Sequence, residues 1–151
     1  MLDQNTSAQL KTLLERLEGP IEIVATLNGS DKSDKIKELV EEVAALSNLV
    51  TARFDGTNKR APSFGIAKAG EEPRVFFAGL PMGHEFTSLI LALLQTSGYA
   101  PKVSDEVLAT IKGLGIKSDF DVFVSLSFHN CPDVVQALHL IAIYNPGTTA
   151  T

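Results

Sequence analysis

The order of strand and helix patterns in the N-terminal part of the chain constrains its fold more than any other feature. Residues 21–27 (IEIVATL) are apolar and rich in β-formers, which predicts a buried strand. An apolar stripe at helical spacing follows over residues 36–44, and residues 49–54 predict a second strand. A helix that crosses over between two strands makes those strands parallel. The sequence therefore predicts a β-α-β unit of an α/β fold.

The flanking patterns complete this unit. Leucines at helical spacing over residues 10–17 predict a helix before the first strand. Residues 63–67 and 74–78 predict two more strands, and the stripe over residues 86–94 predicts another helix. We therefore expect a first unit at residues 1–98 with the order α-β-α-β-β-β-α.

Residues 99–151 are predicted to repeat the opening of that unit as α-β-α. Ser104 is a suitable N-cap for the first helix, with Asp105 and Glu106 in its first turn. Residues 120–126 predict one strand, and residues 129–143 predict a helix that directs Val134 and its apolar neighbours inward. A unit with one strand leaves open edges, so we expect it to pack against the first unit or to pair with a second copy as a homodimer.

Composition excludes several classes of protein. Hydrophobic residues make up 44% of the 151 and charged residues 21%, as in a folded globular protein. The net charge of −5 disfavours a nucleic-acid partner. The sequence has no apolar run of about 18 residues and no signal-peptide pattern, so neither a membrane span nor secretion is expected. One cysteine cannot form an intramolecular disulfide, and the three histidines have no metal-ligand spacing. We therefore expect a cytoplasmic protein without a metal site.

The single cysteine marks the chemically informative segment. An apolar strand pattern runs into a turn and then into an amphipathic helix, with Cys131 in the first turn of that helix. A thiolate at a helix N-terminus is stabilised by free backbone N–H groups and by the helix dipole. Pro132 is compatible with a first turn, whose N–H groups have no partner within the helix. Phe128 stands three residues before Cys131, where a second cysteine would complete a dithiol site.

Three segments of the chain carry a resemblance to a known family. Residues 60–80 look like the second half of a thioredoxin fold, in which a proline before a strand is usually cis and lies beside the redox site. Pro62 would be that residue. Residues 83–98 (GHEFTSLILALLQTSG) and 125–138 (SLSFHNCPDVVQAL) strongly resemble the N-terminal region of the alkyl hydroperoxide reductase flavoprotein, the F subunit of that enzyme. That region consists of two fused thioredoxin-like folds, the second with a Cys-His-Asn-Cys-Pro site.

The resemblance implies a fold and a set of site residues. It implies a complete thioredoxin/glutaredoxin-like unit at residues 1–98 and the first part of a second unit at residues 99–151. Cys131 matches the resolving cysteine, Phe128 replaces the attacking cysteine, and Pro132 matches the proline that follows the site. His129 and Asn130 match the intervening pair, and Glu85 matches a glutamate near the dithiol.

The resemblance also implies partners and cofactors. Electrons in this family pass to a peroxiredoxin, the C subunit of alkyl hydroperoxide reductase, from flavoprotein domains that bind FAD and NADH. The sequence contains no G-x-G-x-x-G pattern, so we expect no cofactor in this chain.

Several alternatives stay open at this point. The chain is expected to be a thiol–disulfide electron-transfer module for peroxide detoxification, disabled by Phe128. It could instead be a non-catalytic module for peroxiredoxin docking or dimerisation, or a fragment of the full flavoprotein. Cys131 could be a half-buried apolar residue, and Glu85 an ordinary first-turn carboxylate. A natural and an engineered Phe128 both fit the sequence.

Overall fold

The chain folds as an α/β protein with five helices and six strands among the described residues. The computed structural model describes residues 2–115, 117–125 and 131–151. The helices are α1 (Gln4–Leu14), α2 (Asp31–Ala45), α3 (Phe86–Thr96), α4 (Asp105–Lys112) and α5 (Cys131–Tyr144). The strands are β1 (Ile21–Thr26), β2 (Val50–Arg53), β3 (Ser63–Lys68), β4 (Val75–Phe77), β5 (Ser118–Phe120) and β6 (Thr148–Ala150). A 3-10 turn, Gly83–Glu85, leads into α3.

All six strands form one sheet in the order β2-β1-β3-β4-β6-β5. β1 and β2 are parallel, as the crossover helix predicted, with Ile21 opposite Val50. β3 lies antiparallel to both β1 and β4. β6 continues the sheet beside β4, where Val75 pairs with Ala150. The segment after residue 98 therefore packs against the first segment, which was one of the two arrangements expected; dimerisation stays a prediction.

Side-chain caps explain where two of the helices begin. The Ser104 side chain accepts a hydrogen bond from the Val107 backbone N–H at 3.2 Å, so it caps α4 as predicted. Ser30 caps α2 in the same way through the N–H of Ser33. Among the described residues, no helix is long and apolar enough to cross a membrane.

The strand predicted at residues 120–126 is wrong in position and in length. β5 covers only Ser118–Phe120, residues 121–125 form no strand, and residue 126 lies outside the described residues. The ladder partner of β5 is β6, which is only three residues long. Pairing therefore extends beyond Phe120 by a single hydrogen bond, from the Val122 N–H to the Thr151 carbonyl at 2.8 Å.

β6 itself was missed, and with it the true order of the second segment. The prediction of one strand after residue 98 is corrected to two, which gives the order α-β-α-β. Thr148 and Ala150 are fully buried, because β6 is flanked on both sides by β4 and β5. The expected inward position of Val134 is also wrong. Val134 is half exposed, whereas Val135 and His139 are the buried residues on this part of α5.

Arg74 links the two segments at the start of β4. Its Nε donates to the Ala142 carbonyl at 2.8 Å, and its Nη2 donates to the Ile143 carbonyl at 2.9 Å. Both carbonyls belong to the last turn of α5, where helical C=O groups have no partner within the helix. A cation is also favoured at this end of the helix dipole.

We expect Arg74→Met to lower the free energy of unfolding by about 2–4 kcal/mol, since two charge-assisted hydrogen bonds are lost while the stem is retained. Chemical denaturation monitored by circular dichroism measures the change. Arg16→Met is the matched control, because Arg16 is exposed beyond the end of α1; its effect should stay within about 0.5 kcal/mol. Equal effects of the two changes would show that Arg74 does not hold α5 in place.

Candidate thiol site

Cys131 is the first residue of α5, with a free and half-buried thiol. Pro132 follows it and is buried. The first-turn N–H groups of a helix can stabilise a thiolate at this position, because they have no helical acceptor. Phe128, His129 and Asn130 lie outside the described residues, so their assigned places in the site stay predictions.

Glu85 is the one buried carboxylate in the described part of the chain, and its 3-10 turn contacts α5. It ends the 3-10 turn before α3 and is only 3% exposed. Neither of its carboxyl oxygens has a hydrogen-bond partner among the described residues. Glu85 lines a cavity together with Val135, which lies one turn after Cys131 on the same face of α5. The structure thus places Glu85 close to the thiol-bearing helix, and its chemical role stays a prediction.

The bond between Ala61 and Pro62 is cis, as the resemblance implied. The Ala61 carbonyl accepts a hydrogen bond from Asn28 Nδ2 at 3.2 Å. Pro62 therefore lies beside the turn between β1 and α2 in the first segment. Arg60, two residues earlier, reaches the second segment, where its Nη2 lies 2.6 Å from Asp121 Oδ2.

The turn beside Pro62 contains a serine pair that the sequence analysis missed. Ser30 and Ser33 share the three-residue separation of Phe128 and Cys131, and they lie between β1 and the first turn of α2. The Asn28 backbone N–H donates to Ser33 Oγ at 2.7 Å, and Ser33 Oγ donates to Asn28 Oδ1 at 3.0 Å. Ser30 Oγ donates to the same oxygen at 2.6 Å. Two serine hydroxyl groups thus occupy this turn. A search of the sequence for the three-residue spacing of Phe128 and Cys131 at the start of another predicted helix would have revealed the pair.

We expect Ser33→Ala to lower the free energy of unfolding by about 1–3 kcal/mol. Ser33 is 1% exposed, and its loss would leave the Asn28 N–H without an acceptor. Thermal and urea denaturation measure the effect. Thr110→Ala serves as the control, because its exposed hydroxyl only bonds back to the Glu106 carbonyl. A Ser33→Ala protein as stable as the Thr110→Ala protein would show that the network contributes little.

His139 is a further buried polar residue that sequence reasoning considered only as a metal ligand. It is 3% exposed, and its ring packs edge-on against Phe77 with centroids 4.9 Å apart. Burial lowers the pKa of His139 to about 4, although a hydrogen bond to the Phe76 backbone opposes this change. The imidazole is therefore neutral at physiological pH. Its Nδ1 has no partner among the described residues.

Arg60, Asp121 and Phe123 form the rim of the cavity that Glu85 and His139 line. The hydrogen bond from Arg60 lowers the pKa of Asp121 below its ordinary value. The guanidinium of Arg60 also lies 5.7 Å from the centroid of the Phe123 ring, within cation–π distance. Phe123 is nonetheless 85% exposed, which makes it the most exposed large apolar residue described.

The sheet order of the first segment, its helices and the cis-proline before β3 define a thioredoxin-like fold. Solved structures support this class. A protein disulfide oxidoreductase from Aeropyrum pernix K1 matches 99% of this chain and 75% of its own with a TM-score of 0.79, at 18% identity. The N-terminal domain of the alkylhydroperoxide reductase AhpF from Enterococcus faecalis matches 99% of this chain and 78% of its own with a TM-score of 0.88, at 26% identity.

Sequence relatives agree with this structural match, although no family model matches the chain. The F subunit of alkyl hydroperoxide reductase from Pseudomonas putida is 52% identical over 146 residues, which is 97% of this chain and 28% of the relative. Its counterpart from Staphylococcus epidermidis is 48% identical over 151 residues, which is all of this chain and 30% of the relative. The chain thus spans less than a third of these relatives. It belongs to the AhpF family, the F subunits of alkyl hydroperoxide reductase, and matches their N-terminal domain.

Proposed function

We propose that this chain is the thiol–disulfide electron-transfer module of an alkyl hydroperoxide reductase flavoprotein, and that Phe128 disables its dithiol step. The position of Cys131 as the first residue of α5 carries the proposal, because the N-terminus of a helix stabilises the thiolate form of a redox cysteine. Family membership and the thioredoxin-like fold support it.

The exchange that such a module performs requires two thiols. The attacking thiolate bonds to one sulfur of the partner's disulfide, and the partner's S–S bond breaks as a mixed disulfide forms. The resolving thiolate, at the position of Cys131, then attacks the mixed disulfide and releases the partner as a dithiol. Two electrons pass to the partner, and the module is left with its own disulfide. With Phe128 at the attacking position, no mixed disulfide forms for Cys131 to resolve.

The partners follow from the same proposal. The acceptor is the peroxiredoxin component of alkyl hydroperoxide reductase, its C subunit, which would use the electrons to reduce hydroperoxides. The donors are flavoprotein domains that hold FAD and take hydride from NADH, and we assign neither cofactor to this chain.

A non-catalytic docking module is the second candidate, favoured by the exposure of Phe123. Phe123 and Val124 present apolar surface beside the Arg60–Asp121 pair, close in sequence to the thiol segment. Such a surface could bind the peroxiredoxin without any thiol chemistry. In that case substitution of Cys131 would leave binding intact.

Thiol reactivity at pH 7 separates the two candidates. The first protein is the native chain, which carries Cys131 alone. The second is the double variant Phe128→Cys, Cys131→Ser, which carries one thiol at the attacking position. The module predicts that the introduced thiol reacts with iodoacetamide at least about tenfold faster than Cys131, because the attacking thiol of a dithiol site is exposed whereas the Cys131 thiol is half-buried. Equally slow reaction of the two thiols would refute an activated site and favour docking.

A further inference from the structure

The cavity between the two segments is lined by residues with buried polar atoms that have no hydrogen-bond partner in the described part of the chain. Its volume is about 280 Å³. Glu85 Oε1, Glu85 Oε2, His139 Nδ1 and Arg60 Nε belong to residues that line it, are buried, and lack a hydrogen-bond partner among the described residues. Buried polar groups are rarely left unpaired in folded proteins, so such a cluster around one cavity indicates a missing occupant.

The unpaired atoms specify the chemistry of that occupant. The hydrogen bond between His139 and the Phe76 backbone raises the pKa of His139, which means that the imidazole is the donor. Because Nδ1 has no partner among the described residues, the donating nitrogen is Nε2. Nδ1 of the neutral ring is therefore an acceptor. Together with the two Glu85 oxygens it gives three acceptors, against one donor at Arg60 Nε.

The charge balance of the cavity also favours a positively charged occupant. Arg60 is paired with Asp121 at 2.6 Å, so these two charges compensate each other. Glu85 is the remaining acidic side chain in the lining, and it has no cationic partner there. An ammonium group offers one positive charge and three donors, which equals the number of free acceptors.

Most of the other lining side chains are apolar and suit a hydrocarbon body. They include Phe76, Phe77, Leu80, Val122 and Val135. We propose that this cavity binds a small organic cation, a primary amine attached to a ring of about benzene size, with its ammonium paired to Glu85 and His139. The proposal concerns a site separate from the thiol reaction, since binding uses neither Cys131 nor Phe128.

Benzylamine at pH 7.5 is the probe, and benzyl alcohol is its uncharged control of the same shape. Titration is followed by amide chemical shifts in a two-dimensional NMR spectrum of the full chain. We expect saturable shifts at Val135, Phe77 and their neighbours, with a Kd on the order of 1 mM or tighter, as suits a ligand of this size. Benzyl alcohol should bind at least about tenfold more weakly.

Two variants decide which groups bind the ammonium, and two more serve as controls. Glu85→Gln should weaken benzylamine binding at least about tenfold, and His139→Asn should weaken it severalfold. Glu41→Gln, on the exposed face of α2, should leave the Kd unchanged, and so should Cys131→Ser. If Glu85→Gln does not fold, His139→Asn and the benzyl alcohol comparison decide.

Three results would overturn the proposal. The first is no saturable shift up to about 10 mM benzylamine, which would mean that the cavity holds water only. The second is equal binding of the amine and the alcohol. The third is unchanged binding by Glu85→Gln. Benzylamine binding and iodoacetamide reactivity are separate readouts, and Cys131→Ser should bind benzylamine normally. Failure of this site is therefore distinguished from failure of the thiol function.

Discussion

Replacing Phe128 with cysteine is expected to convert a chain with a single thiol into a protein with a reversible disulfide. The new thiol would stand three residues before Cys131, the first residue of α5, with the spacing of the site that the family resemblance implies. Mild oxidation should then remove both free thiols of Phe128→Cys and lower its mass by about 2 Da, because each sulfur loses one hydrogen. The native chain should keep its single thiol under the same conditions.

The control for this prediction is the double variant Phe128→Cys, Cys131→Ser, which has a thiol at the same position but no partner within the chain. It should form only intermolecular or mixed disulfides, visible as dimers on a non-reducing gel. If the two thiols of Phe128→Cys stay separately reactive toward iodoacetamide after oxidation, the turn does not bring them within disulfide distance. The dithiol geometry would then be absent, and Phe128 would not be what disables the site.

Acidification is expected to destabilise the protein through His139. The pKa of His139 is lowered to about 4 in the folded protein and has its ordinary value of 6.5 when exposed. As pH falls, the unfolded chain therefore binds the proton first. The stability that depends on the neutral imidazole is complete above pH 6.5, and it is lost progressively between pH 6.5 and 4. The loss should reach about 3 kcal/mol, at 1.36 kcal/mol per pKa unit.

Urea denaturation at closely spaced pH values measures this slope. His139→Asn should abolish the loss of unfolding free energy between pH 6.5 and 5, a range in which ordinary carboxyl groups titrate little. His84→Asn is the matched control, because His84 is an exposed histidine before α3, and it should keep the slope of the native protein. Parallel pH profiles of the native and His139→Asn proteins would contradict the assignment.

The main elements of the fold could be predicted because local patterns agree with long-range pairing. The strand-helix-strand pattern of residues 21–54 dictates the parallel pair β1 and β2, and Ser104 is found as the cap of α4. β6 could not be predicted, because Thr148–Ala150 has no alternation of apolar residues and is a strand only between β4 and β5. The same dependence on tertiary neighbours explains why β5 is shorter than its apolar sequence suggested.

Only those parts of the site that are formed by neighbouring residues in the chain could be predicted from the sequence. Cys131 and Pro132 are adjacent in the chain, so their place at the start of a helix follows from the residues themselves. The cavity brings Arg60, Glu85 and His139 together from three distant parts of the chain, and no spacing in the sequence reveals that. His139 was judged by metal-ligand spacing alone, whereas its burial depends on Phe77 in β4.

Electron delivery to a peroxiredoxin tests the central claim most directly. Reduced native chain and reduced Phe128→Cys chain are each mixed with the oxidised peroxiredoxin component of alkyl hydroperoxide reductase in stoichiometric amounts, and the peroxiredoxin thiols that appear are counted. We predict that Phe128→Cys reduces about one partner disulfide per chain and ends as a disulfide itself, while the native chain reduces none. A Phe128→Cys chain that forms its own disulfide with an oxidant yet delivers no electrons to the peroxiredoxin would contradict the account.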